Sequence, residues 1–436
     1  MNTLPIILTG FSLVALNWLR NINRTRKWIK RCNEMEIVPD YNKSIHVLLP
    51  VLKEEKRIKN TVEYFLKTFS KFKNLKISII TTEAESLYPK NKMNTIDIAK
   101  DLSKLHKNVL HFHYPKLEGK MAHQVNYAVK ELAKKYNLKT SILALYNADS
   151  KPDEKTFDWV TQNMRQNTTN EVYQQYGNYL LNYDKLGHSL KKAILISAGS
   201  WQNRWSYGFE IPHALSQKNK FNLFGYPLNY CIGHGLFFTK RIFDKLGGFS
   251  EEMHNEDAIF GLELSYFKEE ITPIPFFDLS ESPDSLKGLL IQKRNWFFGP
   301  FQAFKYFKKI ISKRKNIKKP KLFVLSLKLF FHALYWIIGP SLFLLSLILL
   351  IFNYSWINLM LFLMIFFIFL PIINFLSNKE INKNKKQKPT LFYNLFGSFI
   401  MYLMHGLSAY LAIFQILISK LFRVPIKKGK TEMKNE

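Results

Sequence analysis

Four stretches without a charged side chain, one at the start of the chain and three near its end, constrain the fold more than any other feature. Residues 1–19 form the first, and Arg20, Arg24, Arg26, Lys27, Lys30 and Arg31 follow it at once. The others are 329–352, 356–376 and 389–419. About 20 helical residues, at roughly 1.5 Å each, cross a hydrocarbon core of about 30 Å. A single such run reads equally well as a buried core helix. Three clustered at one end, with basic residues at their outer edges, read as membrane spans. The first run has its charges after the apolar stretch and no small-residue cleavage site. It is therefore expected to be a retained anchor at 1–20 with its N-terminus outside.

Between residues 20 and 328 the composition is that of a soluble domain. The formal charge of +30, from 63 Lys and Arg against 33 Asp and Glu, raises nucleic acid as a partner. Much of that excess lies at 20–31, 308–321, 379–388 and 423–430, beside the apolar runs. Basic residues there mark the cytoplasmic side and attract anionic lipid headgroups. No nucleic-acid docking motif accompanies them, so membrane lipids are the expected partner and nucleic acid is not. Cys32 and Cys231 suggest neither a disulfide framework nor a zinc cluster, which fits a reducing cytosol for the domain.

The soluble part alternates strand and helix patterns. Residues 45–49 (IHVLL), 75–80 (LKISII), 109–113 (VLHFH) and 141–145 (SILAL) are short apolar runs of the kind found in buried parallel strands. Helical spacing separates them at 54–71, 96–105 and 122–134. The pattern predicts an α/β domain with a mostly parallel, Rossmann-like sheet. Such sheets bind ligands beyond the carboxyl ends of their strands. The residues found there are Pro50, Lys53 and Glu54; then Thr81, Thr82, Glu83 and Glu85; then Glu118-Gly119-Lys120; then Asn147-Ala148-Asp149-Ser150. Acids and a lysine thus converge on one edge, as a charged ligand with a metal requires. An acidic motif after a buried strand can hold a divalent cation that bridges diphosphate oxygens. Alone, Asn147–Ser150 also reads as a turn with an N-cap before a helix at Asp153.

These motifs resemble family 2 glycosyltransferases of the GT-A fold over about residues 44–300. Pro50 and Glu54 stand where the family has Pro-x-x-Asn-Glu, and Gly119-Lys120 with Asn126 resembles its Gly-Lys-x-x-Ala-Leu-Asn. Asn147-Ala148-Asp149 occupies the place of Asp-x-Asp. Gly233-His234-Gly235, Gly247-Gly248-Phe249 and Asn255-Glu256-Asp257 resemble the run ending in the catalytic Glu-Asp pair. Gln292-Lys293-Arg294-Asn295-Trp296 lies where membrane synthases of the family carry Gln-x-x-Arg-Trp. The similar Gln202-x-Arg204-Trp205 precedes the Glu-Asp pair and is set aside as a decoy on a helix. Three departures stand out. Asn147 replaces the first acid, Asn295 stands where the arginine before the tryptophan belongs, and the uracil-contacting acid has only Glu83 or Glu85 as candidates.

The resemblance implies an inverting transfer from a nucleotide sugar, a UDP-sugar first, to a membrane-associated glycan or lipid-linked acceptor. Asp257 would be the base, with Glu256 beside it; the competing reading of Asp257 is a helix cap. Pro50, Glu54, Glu83, Lys120, Asn147, Asp149 and Arg294 would bind the donor, Asp149 holding Mg²⁺ or Mn²⁺. Gln292 and Trp296 would meet the acceptor; Trp296 also reads as core or an interfacial anchor. His234 reads as a structural histidine. The expected organisation is an anchor at 1–20, the GT-A domain at 40–300, and an amphipathic basic linker at 301–321. Spans at 322–420 and a basic cytoplasmic tail at 421–436 complete it, in a plasma-membrane protein with a cytoplasmic catalytic domain. The tension between basic loops at both ends of 391–419 is resolved by a break near His405-Gly406. A catalytically inactive scaffold in a polysaccharide-assembly complex is the alternative, which Asn147 permits.

Overall fold

The structure is a computed structural model that describes residues 3–88, 94–167, 169–186, 189–217, 227–313, 317–382 and 390–424. Parts of the basic runs read from the sequence, and residues 425–436 of the expected tail, lie outside the described residues. The chain divides into two compact units. One is Cys32–Gly177 with Ala214–Ser280; the other is Met1–Arg31, Asn178–His213 and Glu281–Glu436. The sequence reading drew an α/β domain at 40–300, whereas 178–213 and 281–300 group here with the apolar helices.

The first unit is built on an eight-stranded sheet of β1 (Ile45–Pro50), β2 (Leu75–Thr82), β3 (Val109–Tyr114), β4 (Ile142–Leu145), β5 (Lys151–Pro152), β6 (Val172–Asn178), β7 (Leu236–Thr239) and β8 (Thr272–Leu279). The order is β3-β2-β1-β4-β7-β6-β8-β5. Strands β1 to β4 are parallel, while β7 runs antiparallel to β4 and β6. Parallel strands covered on both faces must be apolar at every position. Val47 and Leu49 accordingly enter one core with Ile77, Phe65 and Phe157, and Leu48 enters the other with Ile80, Val125 and Leu143. Both cores being closed, the polar residues at the strand ends are pushed to the carboxyl edge. The helix expected to start at Asp153 starts instead at Thr156, because Lys151–Pro152 pairs with β8.

The second unit contains four helices long and apolar enough to cross a membrane: Leu4–Glu34, Lys319–Phe352, Trp356–Ile381 and Thr390–Phe422. Phe352 (81% exposed), Trp356 (71%) and Ile357 (73%) give them an outer surface suited to lipid rather than water. The expected break at His405-Gly406 is absent, since Thr390–Phe422 is one helix. Its glycines serve close packing instead. A Cβ at Gly406 would lie 2.6 Å from Pro340 Cβ, and one at Gly397 would lie 2.1 Å from the Ala193 carbonyl oxygen. The amphipathic helix read around Phe304, Phe307 and Ile310 forms as Ala303–Lys313.

A ladder of buried amides and hydroxyls ties this unit together. Asn203 donates to Asn178 (3.1 Å) and Asn378 (2.8 Å), Asn378 donates to Ser200 (2.6 Å), and Asn394 donates to Ser200 (3.2 Å). Asn178 reaches Asn382 at 2.8 Å, and Asn374 reaches Ser398 at 3.3 Å. Every one of these residues is buried. Neutral groups paired this way satisfy most of one another without a charge to desolvate, Asn374 Oδ1 being buried without a partner among the described residues.

Candidate active site

At the carboxyl edge of the sheet, β1 and β2 part just past Pro50. The side-chain amide of Gln124, in the helix Met121–Lys135, donates to both the Val51 (2.9 Å) and Ile80 (2.6 Å) carbonyls and holds the two strand ends. Sequence reasoning passed over Gln124, although it sits inside the Gly119–Asn126 motif. Asn126 in that motif has a structural task. Its amide exchanges hydrogen bonds with the Phe249 backbone at 2.8 and 2.9 Å, which fastens the Gly247-Gly248-Phe249 turn.

The two acids after β2 separate by surroundings. Glu85 is buried, accepting the Lys53 backbone N–H at 2.9 Å and the Thr95 hydroxyl at 2.8 Å. It thereby holds Lys53 in the left-handed region at φ 55°. Glu83 keeps 45% of its side chain exposed and pairs with His113 Nε2 at 3.0 Å. His113 shares the Thr81 hydroxyl with His111, whose ring is pushed down to about 4, first by burial and then by the neighbouring His113 and Lys100. Glu83, Glu85, Lys53, Tyr88 and Asp97 line a cavity of about 250 Å³, with the Lys53 ammonium 4.5 Å from the Tyr88 ring centre. Glu54 is anchored by its backbone N–H to Thr95 (2.9 Å) and pairs with Arg57 at 3.3 Å.

After β4 the chain turns at Asn147–Ser150. The Ser150 hydroxyl receives the Asn147 N–H at 3.3 Å and donates to Asp278 Oδ2 at 2.8 Å. Thr61 donates its hydroxyl to the Ala148 carbonyl. Asp278, on β8, is wholly buried, and its Oδ2 also receives His234 Nδ1 at 3.0 Å and Ser280 at 3.2 Å. Asp278 was absent from the sequence reading. Two of its three partners, His234 and Ser150, lie 44 and 128 residues away, and no local pattern announces them.

Asp257 falls in the first turn of the helix Glu256–Phe267, with Oδ1 accepting the Ala258 N–H at 2.8 Å. Its Oδ2 lies against Gly233, where an added Cβ would come within 3.2 Å of it and of Met121. Cys231, two residues before Gly233, has its thiol pushed well up by burial and then by the Asp257 charge. Glu256 is buried. One loop, Gly233-His234-Gly235, therefore touches the carboxylate of Asp257 on one side. On the other it shares the Asp278 oxygen with the turn that carries Asp149. Lys120 lies at the N-cap of the helix that Met121 opens.

Among the described residues no group of three or more His, Cys, Asp or Glu could by itself hold a metal ion. One carboxylate beside an amide, Asp149 with Asn147, still fits a cation that brings diphosphate and water as its other ligands. The donor set thus suits a cation arriving with a substrate.

Gln292, Arg294 and Trp296 lie in the other unit, on the helix Leu286–Phe301. Lys293 between them is buried, donates to Gln202 at 2.8 Å and lies 5.1 Å from the Trp296 ring centre. Burial pulls its ammonium down to about 7. Arg294 Nε is buried without a partner among the described residues. The upstream Gln202-x-Arg204-Trp205 does lie on a helix, Leu190–Trp205. Arg204 is wholly buried among Trp18, Trp201 and Phe369, each ring centre within 4.5 Å, and donates to the Phe369 carbonyl.

Comparison with known proteins bears on this arrangement. Residues 213–376 match the model of glycosyl transferase family group 2. No curated protein matches the chain. Among solved structures, the mannosyltransferase PcManGT from Pyrobaculum calidifontis, in complex with GDP-Man and Mn²⁺, aligns with a TM-score of 0.49 and 12% identity, over 97% of this chain and 100% of that one. S. aureus TarS 1-349 aligns with a TM-score of 0.37 and 10% identity, over 84% and 91%. The matched segment holds the Gly233–Gly235 loop, Asp257 and the Gln292–Trp296 motif. Over that segment the chain is similar to glycosyl transferase family group 2, and its described residues include four helices long and apolar enough to span a membrane.

Proposed function

We propose that the protein is an inverting glycosyltransferase that moves a sugar from a nucleotide-sugar donor to a membrane-associated glycan or lipid-linked acceptor. The observation that carries this reading is the Gly233–Gly235 loop, which joins the Asp257 carboxylate to the turn bearing Asp149. In an inverting transfer the acceptor oxygen attacks the anomeric carbon. The bond from that carbon to the diphosphate oxygen breaks, and the nucleoside diphosphate leaves with the electron pair. The acceptor hydroxyl is a weak nucleophile, so a carboxylate must take its proton as the new bond forms. Asp257 has that role, with Oδ1 steadied by the Ala258 N–H so that Oδ2 receives the proton.

Lys120 contributes a charge-assisted contact to the diphosphate, with Arg294 assigned the same task by motif. Glu83, the more exposed of the two acids after β2, reads the base beside the buried Glu85, and Pro50 and Glu54 are assigned to the donor by motif. Asp149, with Asn147 beside it, would hold Mg²⁺ or Mn²⁺, which would offset charge growing on the leaving diphosphate. Gln292 and Trp296 are assigned to the acceptor, Trp296 offering a flat apolar face for a sugar ring. Asn295, in place of the motif's arginine, favours single addition over polymer growth. Four candidate spans and basic flanks support a multi-pass protein of the plasma membrane with its sheet domain in the cytoplasm.

The test is nucleoside diphosphate release from a panel of sugar nucleotides by the full chain, with Mg²⁺ or Mn²⁺ and extracted membrane lipid. Donor-specific release that disappears in Asp257→Asn, with nucleotide still bound, is the expected result, and product size then decides processivity. Release from no donor by the folded protein would favour the inactive scaffold.

A further inference from the structure

Three polar side chains brace the acid assigned to the donor base, and the reaction described above uses none of them. Parallel pairing of β2 with β3 sets Thr81 opposite His113, and His111, two residues earlier, shares that face of the strand. The buried Thr81 hydroxyl lies 3.0 Å from His113 Nδ1 and 2.8 Å from His111 Nε2. A hydroxyl both donates and accepts, so His113 Nδ1 finds a partner there whether or not it carries a proton. The other nitrogen, Nε2, lies 3.0 Å from Glu83 Oε2. A carboxylate only accepts, so Nε2 is the donor in the neutral ring and in the imidazolium alike. His111, pushed down to about 4 first by burial, closes the row as a neutral ring.

This bracing decides how many acceptors the two acids after β2 offer. Both oxygens of Glu85 are engaged, Oε2 by the Lys53 N–H at 2.9 Å and Oε1 by the Thr95 hydroxyl at 2.8 Å. On Glu83 the imidazole takes Oε2, and Oε1 has no partner among the described residues. Both acids line the cavity of about 250 Å³, so between them one carboxylate oxygen is left for a ligand. Uracil offers one imino N–H between two carbonyls, which a single acceptor satisfies. Guanine offers an imino and an amino N–H side by side, a pair that calls for both carboxylate oxygens, and here the second is turned to the ring. We propose that His113 is a positioning residue for base reading: it holds Glu83 by Oε2 so that Oε1 meets the base, which favours a uracil-type base over guanine. This inference rests on the glycosyltransferase reading and names the donor base of that same site.

Equilibrium binding of UDP, GDP and 3-methyluridine diphosphate to the detergent-purified full chain, with Mn²⁺ present, tests it. The methylated base lacks the imino N–H. The native chain should therefore bind UDP about 10-fold or more tightly than either of the others, a readout needing no substitution. His113→Leu should lower the UDP-over-GDP ratio about 10-fold. His113→Gln, whose amide N–H can still reach Oε2, should keep most of it. Thr81→Val, which keeps the shape and removes the brace, should lower the ratio by a smaller factor. A purely structural histidine would weaken both nucleotides alike. An unmoved ratio in folded His113→Leu, or in Thr81→Val where the leucine variant does not fold, would overturn the assignment. So would native binding that prefers GDP or ignores the methyl group. Donor-specific release surviving these failures would keep the transferase and remove only the role of His113. No nucleotide bound and no release from any donor would remove both.

Discussion

At the scale of single residues the site depends on backbone positions as much as on acids. Gly235 has φ +64°, and an added Cβ would lie 2.7 Å from the Gln175 carbonyl oxygen. Gly235→Ala should cost about 1–3 kcal/mol through strain in the left-handed region. A lower melting temperature, read by thermal melt in detergent, is therefore expected. Asn147→Asp adds a carboxylate where the turn has an amide. Mn²⁺ should then bind several-fold more tightly, read by EPR titration of free Mn²⁺; an unchanged affinity would place the cation away from this turn. Lys293 gives a pH signature. In the unfolded chain it holds its proton to 10.5, in the folded protein only to about 7. Between those values the unfolded state binds more protons, so stability rises with pH. The melting temperature of the native chain relative to Lys293→Met should therefore climb from pH 7 to pH 9. A flat difference would mean that the buried ammonium keeps its proton.

At the scale of elements, what could be read in the sequence follows from how local the cause is. Strands β1 to β4 were legible because a parallel strand buried on both faces must be apolar throughout, and Val47, Leu48 and Leu49 say so without outside help. The helix Ala303–Lys313 was legible from its phenylalanine spacing. The turn at Asn147–Ser150 was legible in place but not in purpose, because its anchor Asp278 is remote in sequence. Gly406 misled for a related reason. A glycine inside an apolar run signals a break when only its own segment is visible, but its cause here is Pro340 on another helix. The same logic gives a paired test. Gly397→Ala drives a methyl into the Ala193 carbonyl and should destabilise the helix pair by about 1–3 kcal/mol. Gly10→Ala, with nothing within 4 Å of the added carbon, should be neutral or gain up to about 1 kcal/mol from helix propensity. Thermal melts of the two variants in detergent compare them directly.

At the scale of the whole molecule, the unbroken helix Thr390–Phe422 changes the arithmetic of sidedness. If Lys319–Phe352, Trp356–Ile381 and Thr390–Phe422 all cross, the ends of that series lie on opposite sides of the membrane. The sequence reading wanted both 379–388 and 420–430 in the cytoplasm, and three full crossings forbid it. A tag after Glu436 should then be protected from protease in sealed inverted vesicles, while a tag at residues 383–389 is cleaved. Cleavage of both would mean that one of the three helices does not cross.

The buried asparagine ladder has a further consequence for how the protein is made. Asn374, Asn378 and Asn394 sit in or beside the last two apolar helices, and each enters lipid at a cost while its amide lacks a partner. Ser200 and Asn203 are translated well before them, so a receiving surface exists when those later segments leave the ribosome. Insertion of the later helices and closure of the ladder are thereby coupled, and a chain lacking Leu190–Trp205 would leave the later spans to enter the bilayer without those partners. The amides that hold the finished bundle thereby also make the later helices depend on the earlier segment for their partners.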